Sequence, residues 1–498
     1  MSDVLVVGAG PTGLTLACAL VTQGTAVRVV DQAPGPSPTS RANILHARGV
    51  EVLHRIRAVD GLAEQALAPL GMTMYARGRV LARMHFASDR TESVQALFVS
   101  QAAIEDRLRQ RLAELGVAIE WNTAVTAADQ DADGVTVGLG AERVRVGWLV
   151  GCDGAHSTVR DLAGIAFPGV SVVERFLLAD VDADWRRDRS TSASWFHPDG
   201  MVLAMPMRGP EGASDRWRLM ADVPAEDEHL DAAEVIARFE QLLPHRTGEA
   251  PRIRNTVWTS VFRIQRRLAD DYRAGRILVA GDAAHVHSPI GGQGMNTGIG
   301  DAENLAWKLA LVVRGRGGEA LLDTYTAERR PLAAEVLRST TANTWILVGE
   351  GKPARLLRDS LFIPLLNLPS VQRAATRKAS QLWVTYRKGP LGGSGRPPRP
   401  GDRVPDRDCV RADGTPTRLH DEWGTAWVVL TPLGQAAATE EVVATAREHL
   451  GDGVIALEDP AAADRAVLIR PDGHLAWRGR RPADLHQWLT SAMQGGSP

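Results

Sequence analysis

The chain has 498 residues and a formal charge of −2, with basic and acidic side chains interspersed along its length. That length allows two or three domains, and the lack of a basic stripe argues against a nucleic-acid partner. Three scattered cysteines, Cys18, Cys152 and Cys409, make neither a metal-ligand spacing nor a disulfide framework, and no run reaches the roughly 18 apolar residues of a membrane span. With no leader pattern at the N-terminus, a soluble chain in a reducing cytoplasm is expected.

Val4-Leu5-Val6-Val7 is a continuous apolar run, the pattern of a strand buried on both faces of a parallel sheet. Gly8-Ala9-Gly10-Pro11-Thr12-Gly13 follows, then helical spacing over 12–23, a C-capping Gly24 and a second strand over 26–30. In such a G-x-G-x-x-G the first glycine makes the turn and the second lets backbone approach a pyrophosphate. The third permits close helix–strand packing, and the helix N-terminus faces the anion. Glycine turns alone are common. The strand before, the helix after and Asp31 about 20 residues on together predict a dinucleotide, with Asp31 on a ribose hydroxyl. The blander reading makes Asp31 a turn cap before Pro34.

Trp148-Leu149-Val150 leads into Gly151-Cys152-Asp153-Gly154-Ala155-His156-Ser157-Thr158-Val159-Arg160. From 169 to 267 alternating segments such as 201–205 and 217–220, punctuated by His197-Pro198-Asp199-Gly200, predict a largely antiparallel sheet. Its Trp195, Phe196, Met205, Met207 and Trp217 are candidates to line an aromatic pocket. Core packing is as consistent for any one, because alternating apolar residues always have a buried face.

A further buried strand is expected over 276–280, then Gly281-Asp282-Ala283-Ala284-His285, Pro289-Ile290-Gly291-Gly292-Gln293-Gly294-Met295-Asn296 and a helix over 298–313. The stretch offers a carboxylate at a strand end for a polyol hydroxyl. Bare backbone then follows, against which a flat ring can lie, at the mouth of a helix whose positive end stabilises charge on a reduced ring. His285 and His287 lack the neighbours of a metal site, and no metal is expected. Residues 389–399 form a Pro/Gly linker. The tail beyond it predicts strands at 426–430 and 453–457, a helix at 440–450, a hairpin turning at Pro471-Asp472-Gly473 and a last helix at 484–493.

Together the glycine fingerprint, Asp153-Gly154 and Gly281-Asp282 resemble the flavoprotein aromatic hydroxylases of the p-hydroxybenzoate hydroxylase fold. So do Ser40-Arg41-Ala42 with Glu51-Val52-Leu53, Gln101 within Val99–Glu105, and Asp301-Ala302-Glu303-Asn304-Leu305-Ala306-Trp307-Lys308. The tail, with Pro400-Gly401-Asp402-Arg403 and Arg470-Pro471-Asp472-Gly473-His474, resembles the phenol hydroxylase and aromatic polyketide hydroxylase branch. Its C-terminal domain is thioredoxin-like, and here Thr431-Pro432-Leu433-Gly434 stands in place of a redox Cys-x-x-Cys.

The resemblance implies an α/β chain. A Rossmann-like FAD domain would comprise 1–70, 96–168 and 269–388, with an inserted substrate domain at 71–95 and 169–268 and a thioredoxin-like domain at 400–498. It implies non-covalent FAD, with Asp31 on the adenosine ribose, Arg41 and Gln101 at the pyrophosphate and ribityl region, and Asp282 on a ribityl hydroxyl. Pro289 to Asn296 would lie along the ring, and Asp153-Gly154 would serve both FAD and a transient NADPH or NADH. Gln32 and Val125 complete the expected cofactor set.

The implied reaction is hydroxylation of a phenolic, polyketide-type ring by O₂ through a flavin C4a-hydroperoxide, with no side chain evident as a general base. Water must be excluded, or the peroxide decays. Alternatives on the same framework are a Baeyer–Villiger or epoxidising oxygenase, or a non-catalytic metabolite binder. The tail is expected to aid packing or self-association, a homodimer included.

Overall fold

Val4–Val7 forms a central strand of a six-stranded sheet. Val27–Val30 and Trp148–Gly151 flank it in parallel; Ile119–Glu120 and Ile277–Val279 extend the two sides, also in parallel, and Arg273–Ala274 closes one edge antiparallel. The computed structural model describes residues 2–37, 39, 42–67, 71–85, 94–209, 215–224, 230–288, 291–348, 352–462 and 464–496, and among these the side chains of 171–174, 341–348, 352 and 436–438 are left undescribed.

The four residues of Val4–Val7 are buried because both faces of the sheet are covered. Val4 and Val6 face a core shared with helices Pro11–Thr22, Gln101–Glu114 and Gln293–Val313. Leu5 and Val7 face a three-stranded meander, Val125–Gln130, Val135–Leu139 and Glu142–Val146.

Helix Gln293–Val313 starts five residues before the expected 298. Gly294, which reads as loop, lies inside it, and two further glycines of the helix serve contact between helices. A Cβ on Gly298 would stand 2.3 Å from Thr12 Oγ1, and one on Gly300 2.9 Å from an Arg329 nitrogen. Backbone approach at those points is worth more than the helix propensity that glycine forfeits.

The inserted unit is an eight-stranded sheet in the order His285–Val286, Arg252–Leu268, Gly169–Asp184, Arg216–Val223, Gly200–Pro206, Thr191–His197, Gly71–Ala76, Arg79–Met84. Pairing is antiparallel except between Thr191–His197 and Gly71–Ala76. Helix Ala232–Thr247, opened by an Asp231/Glu234 capping box, covers one face.

The tail folds as Val428–Pro432, helix Ala436–Leu450 and a parallel Ile455–Asp459, then the antiparallel pair Ala466–Ile469 and Leu475–Gly479 and helix Pro482–Met493. The Pro/Gly stretch before it contains no helix or strand, yet Leu391 within it is fully buried. One apolar cluster joins Trp307, Leu311 and Leu321 to Trp427, Val429 and Leu489, so the tail shares a core with the long helix. Among the described residues no helix is long and apolar enough to cross a membrane.

Candidate active site

Three loops meet where the parallel strands end. Gly8 (φ +104°) turns the chain so closely over the next loop that a Cβ would lie 2.3 Å from the Cys152 carbonyl oxygen, and a Cβ on Gly13 would lie 1.9 Å from the Gly8 oxygen. Both glycines are demanded by the fold itself. Gly10 is different. Its φ of −80° suits any residue, and a Cβ there would meet no protein atom within 4 Å. The open space lies at the N-cap of helix Pro11–Thr22, where no side chain caps the free N–H groups. An anion approaching the backbone is what that glycine suits.

Asp31, at the end of the neighbouring strand, is oriented by two backbone amides, Ala9 N to Oδ2 at 2.7 Å and Ala33 N to Oδ1 at 2.8 Å. A carboxylate has lone pairs beyond these two bonds, available to ribose hydroxyls. Gln32 beside it is exposed. The 122–125 segment runs alongside, with Asn122 N on Ala33 O and Thr123 N on Asp31 O. Val125 turns its side chain into the core beneath the sheet. In the second loop Asp153 closes its own turn, accepting from Ser157 Oγ (2.5 Å) and Val159 N (3.1 Å), while Gly154 (φ +82°) stands open at the apex.

Gly281 (φ +63°) lies against Thr12, which also touches Gly298, so the third loop and the starts of helices Pro11–Thr22 and Gln293–Val313 converge. The second helix too has a glycine N-cap, Gly292, without a side-chain cap. Two positive helix ends therefore border one cleft. Asp282 is exposed beside it. His287 is half-buried, with its Nε2 buried and unpartnered among the described residues, and that nitrogen lies 3.8 Å from a Cβ built on Gly294. Burial pushes the His287 pKa down to about 4, so its ring is neutral at pH 7. A cradle that only a ligand would fill, an orphaned buried nitrogen and two uncapped helix ends all fit a dinucleotide carrying a flat ring.

The segment 42–46 stitches this cleft to the inserted sheet. Ala42 and Gln101 exchange hydrogen bonds, Asn43 Nδ2 donates to Met205 Sδ (3.9 Å), and His46 Nε2 reaches Gly291 O (3.0 Å). Asn296 is spent on this seam, accepting from His46 N and donating to Ile44 O and Gly292 O. Gln101 also donates to Glu105, and Gln293 is held by Gln381 and Ala379. Met295 packs against the core. Arg41 and Pro289 lie outside the described residues. His285 pairs with Asp301 (2.6 Å) in the interior.

The pocket candidates divide between two faces. Trp195 and Trp217 pack under helix Ala232–Thr247, whereas Phe196 lies on the opposite face, and Met205, an odd-numbered neighbour of Met201 and Leu203, shares that face. Six of the ten methionines, Met72, Met74, Met84, Met201, Met205 and Met220, belong to it. Sequence reasoning missed this, because the face exists only once the 71–84 hairpin joins Thr191–His197 in parallel. Residues 216 and 218 share it, but Arg218 is clamped bidentately by Asp180 (2.7 Å each) and Arg216 by Asp182. His197 and Asp199 of the His197–Gly200 turn cluster with ligand-like spacing with His245 of helix Ala232–Thr247, at the opposite end of the strand pair from Met205.

A family model described as an FAD binding domain matches residues 1–340, and one described as an aromatic-ring hydroxylase C-terminal domain matches residues 397–495. The chain is 36% identical to 6-methylpretetramide 4-monooxygenase of Streptomyces rimosus, over 99% of this chain and 93% of that protein. It is 37% identical to the 12-dehydrotetracycline 5-monooxygenase/anhydrotetracycline 6-monooxygenase of the same species, over 99% and 98%. The solved structure of OxyS anhydrotetracycline hydroxylase, also from Streptomyces rimosus, superposes with a TM-score of 0.80 at 33% identity, covering 99% of each chain. Sequence motifs, cleft and relatives agree, and the chain belongs to the FAD-dependent aromatic-ring monooxygenases of the class A flavoprotein hydroxylase family.

Proposed function

We propose that this monooxygenase hydroxylates a fused-ring phenol of polyketide type, with NAD(P)H and O₂ as co-substrates. The observation that carries the substrate class is the methionine-rich face of the inserted sheet. Thioether side chains are unbranched, polarisable and adaptable, and suit a broad aromatic surface. A small benzoate needs a cation to clamp its carboxylate, and on this face Arg216 and Arg218 are already neutralised by Asp182 and Asp180. Relatives named for tetracycline-type substrates support the same reading.

In this reading the Gly8–Gly13 loop and the N-terminus of helix Pro11–Thr22 bind the FAD pyrophosphate, Asp31 the adenosine ribose and Asp282 a ribityl hydroxyl. Gly291 to Met295 border the ring. Bound there, FAD supplies the electron transfer and oxygen activation. The protein orients the substrate between Met205 and the Gly291–Gly292 backbone, and the apolar face excludes water. Asp153 shapes the loop whose apex, Gly154, gives nicotinamide room to approach. We read the tail, with its βαβ start, antiparallel pair and closing helix, as thioredoxin-like without redox chemistry.

The test is a substrate screen following NADPH and NADH oxidation. Tricyclic and tetracyclic phenols should stimulate it strongly and p-hydroxybenzoate should not. The reverse order would refute the substrate class.

A further inference from the structure

The turn Arg470-Pro471-Asp472-Gly473-His474 stands on the tail, yet its three polar side chains are fully buried against the FAD domain. Arg470 donates two hydrogen bonds to Glu328 (2.7 and 2.9 Å) and pairs with Asp472. Asp472 Oδ2 accepts from Asn304 Nδ2 and Trp307 Nε1, both at 3.1 Å, and Arg48 donates to the Asp472 carbonyl (2.5 Å). Glu328 is held from the other side by Lys308 and Asn304, each at 2.8 Å. A purely structural dock would stop there.

It does not, because the next residue, Arg329, is buried against Asp301, which in turn holds the Gly281–His285 loop. Arg329 donates to Asp301 Oδ1 (2.7 Å), to the Thr297 carbonyl (2.9 Å) and to the Tyr386 hydroxyl (2.9 Å). Asp301 Oδ2 in turn accepts from Gly281 N (3.2 Å) and pairs with His285 Nε2 (2.6 Å), the two ends of the loop that carries Asp282. His474 lies against the Tyr386 ring, centroids 4.3 Å apart, and the Arg470 guanidinium stands 5.1 Å from the same ring. Two contacts from one turn, onto Glu328 and onto Tyr386, thus converge on Arg329.

We infer that Arg470, Asp472 and His474 are positioning residues for the flavin site: through Glu328, Tyr386 and Arg329 they fix Asp301, and Asp301 fixes the Gly281–His285 loop. The tail thereby sets how well the loop grips FAD, without touching it. This rests on the reading that Asp282 holds the ribityl chain. In a low-dielectric interior such charged chains are stiff, and each link is costly to leave half-made.

The experiment uses full-length Tyr386→Phe, Asp472→Asn and the double variant. It measures the FAD dissociation constant by fluorescence quenching, the melting temperature of the apoprotein and the visible circular dichroism of bound flavin. Tyr386→Phe keeps the ring that His474 packs against and removes only the oxygen that accepts from Arg329. The expected result is FAD affinity weakened about tenfold in each single variant, a changed dichroism band, and a double variant no worse than the weaker single. Tyr386→Phe decides the matter alone if Asp472→Asn fails to fold. Unchanged affinity and dichroism in a folded Tyr386→Phe, or strictly additive losses, would overturn the inference. Asp282→Asn run alongside separates the two readings. Unchanged affinity there refutes the Asp282 assignment, whereas a loss there with Tyr386→Phe unaffected refutes the positioning role.

Discussion

Replacing Gly10 by Ala separates what the fold requires of the glycine loop from what the cofactor requires. The backbone at Gly10 is in an ordinary extended conformation, and a methyl group would meet no protein atom within 4 Å. Alanine is a somewhat poorer N-cap than glycine, but it restricts the unfolded chain, and the two effects offset to within about 1 kcal/mol. The apoprotein should therefore melt near the wild-type temperature. FAD should suffer, because the methyl group displaces the pyrophosphate from the helix N–H groups. Losing a hydrogen bond to a charged group costs about 1.5–3 kcal/mol; taking 2–3 kcal/mol, affinity falls about 30- to 150-fold. Gly13→Ala is the control with the opposite signature, since its Cβ would overlap the Gly8 oxygen at 1.9 Å and must distort the apoprotein. Titration of FAD into each apoprotein, with thermal melts in parallel, reads both quantities. A Gly10→Ala protein that binds FAD as tightly as wild type would refute the placement of the pyrophosphate.

The remaining predictions concern the tail and the acid limb. Burial pushes the Cys409 thiol up to about 12, so it carries no thiolate at neutral pH; Cys409→Ser should cost about 1 kcal/mol of stability and leave turnover unchanged, and lost turnover with stability intact would contradict this. Burial pushes the Glu328 carboxyl up, but Arg470 and Lys308 outweigh it and hold the pKa at about 2, below the ordinary 4.5. Its contribution to stability is thus complete above about pH 4.5 and lost as pH falls toward 2, and a Glu328→Gln variant should show a flatter acid limb in melting temperature; an unchanged limb would refute the assignment.

Much of the flavin-binding half was legible because its constraints are local. Gly8, Gly13 and Asp31 are fixed by one strand–turn–helix unit, and the apolar runs at Val4 and Ile277 mark strands covered on both faces. The start of helix Gln293–Val313 was not, because Gly291, Gly292 and Gly294 look like one continuous glycine loop, although the helix already begins at Gln293. In the inserted sheet the sequence left pocket and core readings open for a related reason. Alternation tells that Trp195 and Phe196 point to opposite faces, but which face meets the cleft depends on helix Ala232–Thr247 covering one and segment 42–46 touching the other. The buried chain from Asp472 to Asp301 joins residues more than 140 positions apart, and no sequence pattern announces it.

The central claim is that this cleft delivers one atom of O₂ to a fused aromatic ring, and isotope incorporation tests it most directly. The purified holoenzyme is supplied with NADPH, ¹⁸O₂ and tricyclic or tetracyclic phenols, and the products are weighed by mass spectrometry. The account predicts a product heavier by one labelled oxygen, with activity rising with pH as the bound phenol ionises. Fused-ring phenols that gain no ¹⁸O, while simple benzoates are turned over readily, would contradict it.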